Sequence, residues 1–256
     1  MIHPTAIIHP HAELEGDVVI GPYAVIGEHV RIGRGTTVGP HTVIDGWTEI
    51  GEENQIFHFA AVGGIPQDLK YHGEKTWLKI GSRNVIREFA TLQPGTVTGI
   101  GETIIGDGNL FMAYCHVAHD CIVGNRVIMA NGSTLAGHVV AEDHAILGGL
   151  SAVHQYTRIG ESAMLSGGAM VGQDVPPFTI AAGDRARLRG VNSVGLRRRG
   201  FAEETIALIK RAYRILVLSK LKLADALARI RAELPQVPEI QQLVEFVAQS
   251  ERGICR

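Results

Sequence analysis

Val19-Ile20-Gly21, Val25-Ile26-Gly27, Arg31-Ile32-Gly33 and Thr37-Val38-Gly39 follow one another at intervals of six residues. Stepping outward from them by six gives Ile2, Ile8, Leu14, Ile20, Ile26, Ile32, Val38, Ile44, Ile50, Ile56 and Val62, all aliphatic. With roughly a quarter of an average chain aliphatic, chance gives such a run less than about one time in a million. The phase fails at Asp68 and Glu74 and returns in register at Ile80, Ile86 and Leu92. After a second break, a shifted register runs through Ile105, Phe111, Val117, Val123, Met129, Leu135, Ala141, Leu147, Val153, Ile159, Leu165 and Val171, and stops before Pro176-Pro177. A period of six matches neither a helix nor a simple alternating strand. It fits a mainly β fold, a parallel β-helix with a short strand and a corner per hexad. Three hexads then make a triangular coil, and residues 18 apart stack along one face. The two breaks read as loops extruded from the prism near 63–79 and 93–104. Loops on a rigid scaffold are where function concentrates.

After Gly200 the spacing becomes helical. Ile206, Ile209, Tyr213 and Leu216 form one apolar stripe, Leu223, Leu227, Ile230 and Leu234 a second, and Ile240, Leu243, Val244 and Val247 a third. Pro235 and Pro238 separate the last two. The chain therefore divides into a β-helix over 1–183 and a basic linker with a helical domain over 184–256. The plain role of that domain is to cap an open solenoid end. The linker carries Arg185, Arg187, Arg189, Arg197, Arg198 and Arg199. Such a run is a solvated surface, or a seat for a nucleotide pyrophosphate or an acidic carrier protein.

Bulk properties narrow the classes. A net charge of −2 over 256 residues points to neither nucleic acid nor an anionic membrane as partner. Only 5% of residues are aromatic, so small aliphatic side chains must fill the core. The three cysteines, Cys115, Cys121 and Cys255, form no CxxC pair and are odd in number. That fits free thiols in a reducing cytoplasm. The opening Met1-Ile2-His3-Pro4 has no basic segment followed by an apolar run, so no secretory leader is expected. No apolar stretch approaches the ~20 residues of a transmembrane helix.

Five of the twelve histidines fall between 116 and 154: His116, His119, His138, His144 and His154. The coil map puts His119 and His138 at neighbouring corner positions on adjacent coils, near the ~4.8 Å strand spacing with about one residue of offset. His144 falls on a different face and meets the others only across a subunit contact. Three readings stand: exposed corner histidines; a zinc site, as in the γ-class carbonic anhydrases that share this scaffold, although no His-x4-His pair is present; or general-base catalysis by an imidazole.

The strings His116-Val117-Ala118-His119-Asp120-Cys121, Leu135-Ala136-Gly137-His138-Val139, Ala152-Val153-His154-Gln155, Gln67-Asp68-Leu69-Lys70-Tyr71, Val191-Asn192 and Arg197-Arg198-Arg199-Gly200-Phe201 resemble, in order along nearly the whole chain, those of the lipid A pathway O-acyltransferases. These are hexapeptide-repeat enzymes, and the resemblance implies a left-handed β-helix. It also implies transfer of a 3-hydroxyacyl chain from acyl carrier protein to the 3-hydroxyl of UDP-N-acetylglucosamine, the first step of lipid A synthesis, with no cofactor or metal. By resemblance His119 is the general base, Asp120 orients it, and the Gly137 N–H forms the oxyanion hole. A thioester is already activated, so one base and one oxyanion donor suffice. Because neighbours along a strand point apart, the His119–Asp120 contact requires a local turn. The family's pattern further makes Gln67, Asp68, His116, His138, Gln155, Asn192, Arg198 and Arg199 contacts to the nucleotide sugar, and Lys70 a contact to the acyl group or its carrier. It implies a homotrimer with sites between subunits, as flat faces around a threefold axis would allow. Gly167, stacked over Gly149 and Asn131, matches the position that measures the acyl chain. A glycine there leaves space, and the resemblance implies a longer chain, on the order of twelve to fourteen carbons. One departure is Val194, where the family's better-known members place a glutamate. The alternatives are an acyltransferase for a 3-amino sugar nucleotide, a zinc carbonic anhydrase, and a β-helix that only binds nucleotide sugars. The pathway's N-acyltransferases carry an additional N-terminal domain for which this chain, with repeats from Ile2, leaves no room.

Overall fold

The computed structural model describes residues 1–256. Short parallel strands, most of two residues, form three sheets of nine, eight and ten strands that wind as a parallel β-helix. The hexad aliphatics set its register. In one sheet Ile8 pairs with Ile26, Ile26 with Ile44, and Ile44 with Val62, eighteen residues apart each time. Val62 then pairs with Leu92 and Leu92 with Val117. Those longer steps contain the two extruded loops. Strands Trp77–Ile80 and Glu102–Ile105 take back the last residues of each, leaving irregular chain over 63–76 and 93–101.

In each strand the hexad aliphatic points inward, and Ile20, Ile26, Ile32, Ile44, Ile86 and Leu135 are among the largest fully buried side chains. Corners turn through left-handed backbone, a conformation that L-residues resist. One edge offsets this with stacking: Tyr23, His41, Phe59, Phe89 and Tyr114 all have positive φ, and their rings stack at 5.1, 5.1, 5.4 and 4.9 Å. Inside another corner, Asn54, Asn84 and Asn109 are buried and each passes a hydrogen bond to the next coil. The Asn54 carboxamide oxygen accepts from Asn84 N–H at 2.9 Å and the Asn84 oxygen accepts from Asn109 N–H at 2.8 Å.

The prism ends differently from the expected basic linker. Thr179–Ala182 pairs antiparallel with Arg187–Val191, so part of that basic run is a strand. Four helices follow: α1 (Ser193–Arg198), α2 (Glu203–Tyr213), α3 (Leu223–Glu233) and α4 (Pro238–Ala248). The expected apolar stripes face inward, with Leu216 buried in a π-helical turn (Arg214–Leu218) that follows α2 and Leu223 half-buried at the start of α3. The chain end returns to the prism, where the Cys255 N–H donates to the Asp174 carbonyl and the Leu188 N–H to the Cys255 carbonyl, both at 2.9 Å. No helix is long and apolar enough to cross a membrane.

Candidate active site

His119 and Asp120 sit at a corner between strands His116–Val117 and Ile122–Val123. Asp120 has φ +58°, and that left-handed turn brings its carboxylate back under the imidazole. His119 Nδ1 lies 2.8 Å from Asp120 Oδ2. A carboxylate only accepts, so in the neutral ring Nδ1 carries the proton and Nε2 presents a lone pair. The second loop fixes the carboxylate from behind. The Thr96 N–H donates to both oxygens at 3.1 and 3.2 Å, the Thr96 hydroxyl donates at 2.7 Å, and the Gly101 N–H donates at 3.2 Å. Burial pushes the Asp120 carboxyl up, but the hydrogen bonds from His119 and Thr96 outweigh it and hold the group below the usual carboxylate range. A Cβ on Gly99 would stand 2.2 Å from the Asp120 carboxyl carbon, so the loop packs this closely only with glycine there.

On the next coil, Gly137 faces the imidazole. A Cβ there would fall 2.5 Å from His119 Cε1 and 2.7 Å from Nε2. The Gly137 N–H donates to no backbone carbonyl, whereas its carbonyl accepts from the Tyr156 N–H at 3.2 Å. His138 meets His119 edge-on, with ring centroids 5.0 Å apart, and lies flat on Tyr156 at 4.3 Å and 4°. The expected corner-to-corner spacing is thus observed.

A cleft of about 450 Å³ opens over these rings, lined by Gln67, Asp68, Leu69, Lys70, Thr98, His119, His138, Gln155 and Tyr156. Both extruded loops therefore reach the histidines. A second groove, about 590 Å³ and mainly apolar, begins beside Gly137 at Ala136 and runs past Ala152, His154, Met170 and Ala186 to Arg185 and Cys255. Other expected site residues stand elsewhere. His116 Nδ1 is 2.7 Å from the Thr91 hydroxyl on the neighbouring strand. Asn192 is buried; its side-chain oxygen caps α1 by accepting from Gly195 N–H at 3.1 Å and its amide donates to the Ser162 carbonyl at 2.9 Å. Arg199 pairs with Glu161 at 2.7 Å and also reaches the Ser162 hydroxyl. Arg198 is exposed in the last turn of α1. His144 lines a separate polar depression with Arg83, Asp107, Asn125, Arg126 and Asp143. Gly167 is a corner position whose built Cβ meets only the Gly149 carbonyl, at 3.5 Å. Thr96, Thr98 and Gly99 lie in a loop without periodicity, where no spacing in the sequence marks them. Tyr156 was visible as the residue 18 beyond His138.

His119, Asp120 and His138 offer ligand atoms within 4.8 Å of one another. This set is two imidazoles and a carboxylate that already accepts three loop donors, not the three imidazoles of the carbonic-anhydrase reading.

Burial pushes both His116 and His138 below the ordinary imidazole value; the His119 charge adds to this at His116, whereas Asp120 partly opposes it at His138. Unfolded histidine titrates near ~6.5, so below that the unfolded chain binds more protons than the folded one. The stability these groups contribute is full above ~6.5 and declines as pH falls toward their folded values. Asp120 acts in a lower window, full above ~3.9 and lost below it. Thermal melts are expected to show a midpoint falling between about pH 7 and pH 5, with a shallower slope in His116→Gln. Identical slopes for both proteins would rule His116 out as a source.

The geometry has close relatives. Residues 174–255 match the family described as UDP-N-acetylglucosamine O-acyltransferase, domain 2, and residues 1–34, 11–46 and 102–137 match the bacterial transferase hexapeptide family. An acyl-[acyl-carrier-protein]--UDP-N-acetylglucosamine O-acyltransferase from Thermodesulfovibrio yellowstonii is 57% identical over 255 residues, covering 100% of this chain and 99% of its own. One from Myxococcus xanthus is 56% identical with the same coverage. This chain belongs to the UDP-N-acetylglucosamine O-acyltransferase family. Among solved structures, LpxA from Acinetobacter baumannii superposes with a TM-score of 0.97 at 47% identity, covering 100% and 99% of the two chains. The UDP-N-acetylglucosamine acyltransferase of Arabidopsis gives 0.87 at 38%, covering both chains fully. The fold class is the expected left-handed parallel β-helix with C-terminal helices.

Proposed function

We propose that this family member transfers a 3-hydroxyacyl chain from acyl carrier protein to the 3-hydroxyl of UDP-N-acetylglucosamine, in the cytoplasm, as the first step of lipid A synthesis. The observation that carries this reading is the His119–Asp120 pair under Gly137, between a polar cleft and an apolar groove. The cleft suits a sugar nucleotide, with Asp68, His138, Gln155 and Lys70 along it. The groove suits an acyl chain. His119 Nε2 takes the proton of the 3-hydroxyl as its oxygen attacks the thioester carbonyl. The Gly137 N–H stabilises the resulting oxyanion. Its collapse forms the ester and expels the carrier thiolate, which takes the proton back from the imidazolium. Asp120 holds the required tautomer throughout and balances the transient positive charge.

Asn192, Arg198, Arg199 and His116 belong to this reading through a homotrimer, in which sites between subunits gather side chains that one subunit keeps apart. Gly167 stands three residues before Met170 of the groove, and its Cβ position is sterically free. Measuring O-acyl product from 3-hydroxyacyl carrier proteins of graded length tests both points. Transfer to UDP-N-acetylglucosamine with longer donors is expected, and Gly167→Met is expected to shift the preference to shorter ones. Transfer only to the 3-amino analogue would overturn the acceptor assignment, and an unchanged donor profile would overturn the ruler.

A further inference from the structure

The first coil forms the end of the prism opposite the helices. Strands Ile7–Ile8 and Glu13–Leu14 are edge members of their sheets, and Ile2 and Ile7 are exposed. Unprotected solenoid ends fray unless something ties the last coil down. At one corner of this end, four side chains from the first two coils converge. His11 Nδ1 is 3.0 Å from Glu28 Oε1, and His29 Nε2 is 3.9 Å from the other oxygen of the same carboxylate. His9 meets His11 edge-on at 5.2 Å, and His9, His11 and Glu28 offer ligand atoms within 4.8 Å of one another. Two features orient the set. His9 Nδ1 accepts the His11 backbone N–H at 3.3 Å, which leaves Nε2 as its outward nitrogen. His29 lies flat on Trp47 at 3.7 Å and 11°.

Two donors on one tetrahedral zinc with bonds of ~2.0 Å stand ~3.3 Å apart. The His11–Glu28 spacing is close to that, and a small side-chain rotation brings His9 in. Imidazole with carboxylate is a donor set that suits zinc, copper or nickel rather than calcium or magnesium. We infer that His9, His11 and Glu28, with His29 beside them, form a divalent transition-metal site of the zinc class that staples the first coil to the second. The site is separate from the acyl-transfer residues, which lie on later coils, and it takes no part in that chemistry. Metal binding to the folded chain alone shifts stability toward the folded state.

The test is a calorimetric titration of untagged, chelator-stripped full-length protein with zinc chloride, paired with thermal melts. Wild type and His119→Ala are expected to bind one zinc at this site. His11→Ala and Glu28→Gln are expected to bind it at least ~10-fold more weakly, as loss of a ligand costs no less than loss of an outer partner. Zinc is expected to raise the melting midpoint of wild type and not of His11→Ala, whose acyl transfer stays at the wild-type level. Wild-type affinity in both His11→Ala and Glu28→Gln overturns the site and leaves His11–Glu28 a plain ion pair. Absence of binding in wild type does the same, and binding lost only in His119→Ala moves the zinc to the other histidine cluster.

Discussion

Alanine at position 119 is expected to lower kcat for acyl transfer by ~10²–10⁴, with a much smaller change in the KM for UDP-N-acetylglucosamine. The loss follows from geometry. His119 Nε2 is the one imidazole nitrogen at the junction of cleft and groove whose ring is held by a buried carboxylate on its other side. His138 is 4.0 Å from that carboxylate and spends its face on Tyr156. It is therefore the weaker candidate base, and His138→Ala is expected to raise KM more than it lowers kcat. Removing His119 leaves the Gly137 N–H and the binding surfaces in place, so residual activity above the uncatalysed rate remains. Steady-state kinetics with both variants separates the roles. An unaffected kcat in His119→Ala, or a larger kcat loss in His138→Ala, would reassign the base.

The prism was legible in the sequence because its cause is local and repeated. An aliphatic at every sixth position points inward, and register follows from counting. The same count placed His119 and His138 at neighbouring corner positions on adjacent coils, and Tyr156 one coil beyond His138. What counting could not reach lies where periodicity stops. The antiparallel pair Thr179–Ala182 and Arg187–Val191 follows Pro176-Pro177, which reads as an end, and the strand Arg187–Val191 is masked by arginines that read as a solvated run. Helix α1 is six residues long, too short for an apolar stripe to announce it. Asn192, matched to the family as a nucleotide contact, is also the residue that caps α1 and ties it to Ser162. The carboxylate clamp depends on Thr96 and Gly99 folding back over Asp120 from a distance of about one coil in sequence. No spacing rule predicts that, because the loop leaves the repeat before it returns.

That clamp gives Asp120→Asn the second large effect. The carboxylate accepts from His119 Nδ1, the Thr96 N–H, the Thr96 hydroxyl and the Gly101 N–H. A carboxamide of the same shape must aim its NH₂ at one side or the other. In the place of Oδ2 it donates to Nδ1 while the Thr96 hydroxyl turns to accept from it, which moves the ring proton to Nε2 and removes the lone pair of the proposed base. Facing the loop, it sets donors against the Thr96 and Gly101 N–H groups, at a cost on the order of 1–3 kcal/mol for a buried group left unpaired. The first arrangement is the less costly, so kcat is expected to fall by ~10²–10⁴, as when a triad aspartate is replaced by asparagine. Thr96→Val supplies the contrast. It removes only the hydroxyl donor and leaves the tautomer intact, so its expected loss in kcat is about tenfold, one neutral-to-charged hydrogen bond's worth. Thr96→Ser, which keeps the hydroxyl, is expected to restore most of it. Wild-type kcat in Asp120→Asn would make the His119–Asp120 contact incidental. Equal kcat losses in Asp120→Asn and Thr96→Val, with equally lowered melting midpoints, would assign the effect to collapse of the 93–101 loop and not to the tautomer.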